Sequence, residues 1–91
     1  MNSKIICENE IGNVTFKLSS NDDKKQYQQL FVEHDEMNDV IRVAPCDYFT
    51  AVSAIMFSKT LEEVKERFSR TWSKYDVSCY IDCITKINGD D

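Results

Sequence analysis

The stretch DVSCYIDCITKI, residues 76–87, reads in two ways, and the choice between them decides how the chain is built. With period two, Val77, Cys79, Ile81 and Cys83 line one face of a strand; with period 3.6, Val77, Tyr80, Ile81 and Ile84 line one face of a helix. The run is heavy in β-branched and aromatic residues and poor in strong helix formers, which favours the strand. In a strand, residues four apart stand about 13 Å from each other. Cys79 and Cys83 could then share neither a zinc ion nor a disulfide, which needs Cα atoms within ~7 Å. They would be two small core residues on one face, in keeping with the usual burial of cysteine. In a helix the same side chains approach to about 6 Å, and a joint ligand role opens. The other two cysteines, Cys7 and Cys46, are remote in sequence, and neither a C-x-x-C nor a pair of histidines is present. Zinc-ligand spacing is therefore absent. The expectation is four reduced thiols, with no metal and no cofactor.

Immediately upstream, TLEEVKERFSRTWSKY (60–75) carries the clearest helical signal. Leu61, Val64, Phe68, Trp72 and Tyr75 make one apolar stripe, and Thr60 with Glu63 forms a capping box. Glu63–Arg67 and Glu66–Arg70 have the spacing of supportive ion pairs. On this reading Trp72 is a core anchor. CDYFTAVSAIMF (46–57) follows Pro45, a residue tolerated in a helix's first turn. It is apolar on most of its circumference, through Tyr48, Phe49, Val52, Ile55, Met56 and Phe57. One sheet face in so small a protein cannot bury all of it. The surplus, Phe49, Val52 and Met56, is expected to meet a second copy in a homodimer.

The first half reads as strands. SKIIC (3–7) and VTFKLS (14–19), joined through Gly12 and Asn13, have the pattern of a hairpin. SSNDDKK (19–25) reads as a turn. In QYQQLFVEHDEM, Tyr27, Leu30, Phe31 and His34 fit a helix face, whereas LFV, DEMND and VIRV fit a second hairpin; VIRV needs a neighbouring strand, which favours the hairpin. The expected fold class is α+β: a small, mainly antiparallel sheet of about four to five strands with two helices packed on one face.

Ninety-one residues suit a single domain, 1–91. A net charge of −5 works against nucleic acid and membrane surfaces, and no apolar run approaches the ~20 residues of a membrane span. The start, MNSKIICENEIG, holds too short an apolar stretch for a secretory signal, so the expected compartment is the reducing cytoplasm. Two glycines exclude the usual phosphate loops. His34, although flanked by Glu33 and Asp35, comes with no motif for a nucleophile or an oxyanion site. The chain is expected not to be an enzyme.

Charge is unevenly placed. Residues 1–58 carry nine acids against five bases, and residues 59–91 seven against six. Glu33, Asp35, Glu36 and Asp39 lie within seven residues that contain no Lys or Arg, without the glycine and terminal glutamate of a calcium loop. Such a group can steer a domain towards a basic site on another protein. Arg67, Arg70 and Lys74 share a helix with Glu62, Glu63 and Glu66, with no exposed aromatic expected between the bases. They read as a salt-bridged solvent face and not as a nucleic-acid footprint. A small, acidic α+β chain, rich in Asn, Lys and Ile and without a catalytic motif, resembles the small phage-encoded inhibitors of bacterial defence, anti-CRISPR and anti-restriction proteins among them. The resemblance implies an inhibitor or regulator. A copy of duplex DNA would need one charge per ~1.7 Å, far more than −5. The expected partner is therefore a basic protein, such as a nucleic-acid enzyme, met through Glu33, Asp35, Glu36 and Asp39.

Overall fold

The computed structural model describes residues 4–20 and 27–89. Gly12 and Asn13 both take positive φ, 56° and 70°, the sign pattern of a two-residue type I′ turn, whose twist matches that of the strands it joins. The turn closes β1 (Lys4–Ile11) onto β2 (Val14–Ser20) with Ile11 opposite Val14. The strand expected over 3–7 thus runs on through its polar half to Ile11. Gly12 is needed twice over, because a Cβ at that position would lie 2.9 Å from Leu61 Cγ. β3 (Gln28–Glu33) and β4 (Asp39–Val43) make the second hairpin, so this stretch is strand and not helix. All neighbours are antiparallel, in the order β1-β2-β3-β4. From residue 21 onward, the turn expected over 19–25 lies outside the described residues.

Cross-strand register puts Phe16 opposite Val32 and Leu30 opposite Leu18 and Ile41. These residues, with Val14 and Val43, form the buried face. Between Ile5 and Cys7 the register of β1 shifts by one residue. This bulge lets Ile6 and Cys7 both pack against the core. The fold is α+β as expected, with four strands and, among the described residues, three helices rather than two.

After a 3₁₀ turn at Pro45–Asp47, α1 (Tyr48–Phe57) buries Ala51, Ala54 and Ile55. Its C-terminal end is held to the sheet by Asn9, whose Nδ2 donates to the Ile55 carbonyl at 3.0 Å. That bond satisfies one of the carbonyls that a helix leaves unpaired in its last turn. α2 (Leu61–Phe68) starts at the expected cap: Thr60 Oγ1 accepts the Glu63 N–H, and Glu63 Oε1 accepts the N–H of Lys59.

Two expectations fail together. The helix expected over 60–75 ends at Phe68, and the strand expected over 76–87 belongs to α3 (Lys74–Asn88). The break has a local cause. Ser69 Oγ donates to the Glu66 carbonyl, and Thr71 Oγ1 donates to that of Phe68 at 2.7 Å. Hydroxyls bonded in this way offer the backbone an alternative to continuing the helix. Asp47, itself buried, fixes the turn by accepting the Trp72 N–H at 2.9 Å. The apolar stripe is cut at that point, so Trp72 is 80% exposed and Tyr75 74% exposed, and Trp72 is no core anchor. In α3 the helical face wins because Val77, Tyr80, Ile81 and Ile84 are all buried. As a strand the segment would have hidden two cysteines in place of Tyr80 and Ile84. Burying a large apolar side chain contributes about 1.5–3 kcal/mol, more than the fractions of a kcal/mol by which β-branched residues disfavour a helix. No described helix is long and apolar enough to cross a membrane.

The position of Trp72 is directly testable. Trp72→Ala should shift the urea midpoint by little, whereas Phe68→Ala, which empties a fully buried site, should cost about 3–5 kcal/mol. Equal losses would return Trp72 to the core.

Candidate binding surfaces

The four acidic residues singled out in the sequence lie around the β3–β4 connection, 34–38. Glu33 ends β3 and Asp39 begins β4; Asp35 and Glu36 stand exposed between them. Their environments differ. Glu33 meets Lys17 of β2 at 3.4 Å, a base that is remote in sequence but brought close by the sheet. Asp39 turns one oxygen onto the N–H of Val40 at 2.8 Å.

Between these two residues the loop is held in one shape by hydrogen bonds. The His34 N–H donates to Asn38 Oδ1, the Met37 N–H to the His34 carbonyl, and the Glu36 N–H to His34 Nδ1. With Nδ1 accepting, a neutral ring carries its proton on Nε2, oriented to donate to Asn88 Oδ1 at 3.3 Å. His34 therefore ties the loop to the end of α3, and Tyr80 adds a second tie by donating its hydroxyl proton to the Met37 carbonyl at 2.8 Å. Burial, with the Asp39 and Glu33 carboxylates adding to it, pushes the Tyr80 phenol up to about 12. Neither His34 nor Tyr80 was legible as part of this site, because their partners lie 54 and 43 residues away in sequence.

The second surface lies on α1. Phe49 is 81% exposed and Met56 43% exposed, while Val52, on the same side of the helix, packs partly against the core. Phe57 is exposed as well. The residues expected at a dimer contact thus form one strip, with Val52 as its inner edge.

Two of the thiols border the acidic surface. Cys79 and Cys83 are exposed on α3, one helical turn apart, and not buried on a strand face as expected. With Asp39, Asp76 and Tyr80 they line a shallow groove between β4 and α3. All four cysteines are free, and among the described residues no three His, Cys, Asp or Glu side chains are placed to hold a metal ion. Cys7 alone is half-buried, and that burial raises its thiol pKa.

Two measurements follow from these environments. Aromatic disulfide reagents should modify Cys46, Cys79 and Cys83 rapidly in the folded protein and Cys7 slowly, because thiolate fraction and access set the rate. Four equally fast thiols would contradict the burial of Cys7. For Tyr80, the folded phenol pKa lies above its unfolded value of about 10. The stability that Tyr80 contributes is therefore fully present below pH 10 and is lost as the pH rises towards 12. Tyr80→Phe should cost about 1 kcal/mol at neutral pH and should flatten this alkaline decline relative to the parent chain; an unchanged decline would mean that Tyr80 is not its source. No family model matches this chain, nor does any curated protein or solved structure.

Proposed function

We propose that this protein is a non-enzymatic binding module that inhibits or regulates a basic protein partner through the β3–β4 loop. The observation that supports the reading is the preorganisation of that loop. Hydrogen bonds to Asn38 and Asn88 and from Tyr80 fix it while Asp35 and Glu36 project into solvent. Ordering costs met in the free protein need not be met on binding. Glu33, Asp35, Glu36 and Asp39 supply the negative field, partly offset by Lys17 at Glu33. The resemblance to phage-encoded anti-defence inhibitors points to a nucleic-acid enzyme as the partner's class, with its basic site as the target.

A second reading, self-association through Phe49, Val52 and Met56, is favoured by the apolar exposure on α1. The two surfaces involve different elements and are compatible with each other.

A quadruple variant, Glu33→Gln, Asp35→Asn, Glu36→Gln and Asp39→Asn, tests the first reading. Its melting temperature should stay close to that of the parent, since an amide oxygen at position 39 can still accept the Val40 N–H, the exposed Lys17–Glu33 pair contributes little, and the bonds that shape the loop between them are made by other groups. Once affinity capture and mass spectrometry have identified the partner, association should be about tenfold slower for the variant, and raising the salt should slow the parent in the same way. A parent rate that ignores salt, with a variant that associates as fast, would sink the proposal.

A further inference from the structure

A groove of about 620 Å³ runs between α1 and α2, with Phe49 on its α1 side and Glu63, Glu66, Arg67 and Arg70 on the other. The order of charge along the second wall is its distinguishing feature: two carboxylates come first, and two guanidinium groups follow. On an isolated helix Glu63 would pair with Arg67, and Glu66 with Arg70. Neither pair forms; the ion pairs among the described residues are Lys17–Glu33 and Lys65–Asp82. Glu63 accepts the Lys59 N–H at Oε1, and Arg67 donates to Ser53 Oγ at 3.5 Å. Acids and bases thus face the same open groove without neutralising each other.

We infer that a second copy of this chain occupies the groove across a two-fold axis, with the two α2 segments antiparallel and the axis passing between residues 66 and 67. Reversal about that point sets Glu66 against the partner's Arg67, and Glu63 against the partner's Arg70. Symmetry repeats each pair, so one surface complements itself, as an isologous interface requires. A parallel arrangement would instead oppose Glu63 to Glu63 and Arg70 to Arg70, and like charges in contact are strongly disfavoured. Charge alone therefore selects the orientation.

Exposed ion pairs contribute little by themselves. The apolar part of the contact comes from Phe49, whose ring stands in the groove wall and is 81% exposed in the single chain. Phe49 also begins the strip that continues to Met56. The inference thus rests on the self-association reading above and gives it a register. Nucleic acid fits the groove poorly, because Glu63 and Glu66 would face its phosphates.

Sedimentation velocity at micromolar concentrations, with circular dichroism to verify folding, tests the contact by charge exchange. The parent chain should sediment as a dimer. Arg67→Glu and Glu66→Arg should each weaken dimerisation at least about tenfold, since each opposes like charges twice. An equimolar mixture of the two variants should recover dimer, and so should the chain carrying both substitutions, because each restores every acid–base pair. A parent dimer that ignores Arg67→Glu but dissociates on Met56→Glu would overturn this contact while leaving the α1 reading intact. A parent chain that sediments as a monomer would remove both.

Discussion

The side chain of Tyr80 joins the two halves of the molecule. Its ring is buried against the sheet, and its hydroxyl reaches out of the core to the Met37 carbonyl in the acidic loop. A buried phenol must find an acceptor or lose the solvation its hydroxyl had in water, so the packing of α3 on the sheet determines where that loop sits. The same contact fixes the rotation of α3. With Tyr80 turned inward, Val77, Ile81 and Ile84 follow it into the core, while Cys79 and Cys83 face solvent.

The remaining helices obey a similar constraint, since a meander of four strands has one apolar face and the helices must cover it. α1 is pinned near its end by Asn9, and α2 is seated against the turn at Gly12, where only the missing side chain leaves room for Leu61. Between α2 and α3, Asp47 grips the backbone of Trp72. This allows the chain to change direction instead of running on as one long helix. The bend turns Trp72 outward beside Arg70 and Lys74 and leaves Tyr75 exposed, where uninterrupted helical spacing would have placed two core residues. Exposed aromatics do therefore accompany the bases, contrary to the expectation from the sequence.

The surfaces proposed for binding lie on different elements. The acidic loop is tied to α3 at Tyr80 and at Asn88, and Asp39 shares a groove with Asp76 and Cys79 of that helix, whereas the other surface is formed by α1 and α2. A contact at one need not obstruct a contact at the other. The acidic group acts at a distance and is screened by salt within about 8 Å at physiological ionic strength. The α1–α2 groove depends on short-range complementarity.

The sequence by itself determined the first hairpin and the start of the second helix, and it leaned towards the second hairpin over a helix. Alternation in β2, the Gly12–Asn13 turn and the Thr60–Glu63 cap are local signals, made by residues within a few positions of one another and satisfied by backbone geometry. It also determined that Glu33, Asp35, Glu36 and Asp39 would be grouped, because they are neighbours along the chain. It tilted 76–87, open to two periodicities, towards a strand, since β-branched residues weigh against a helix, though by amounts that packing readily exceeds. Only the tertiary structure decided that choice, by offering the sheet's open face to Tyr80 and Ile84. It alone set Lys17 beside Glu33, tied His34 to Asn88, and left Glu66 and Arg67 without ion-pair partners among the described residues. The sheet brings together residues far apart in sequence, and their distances are absent from any local pattern.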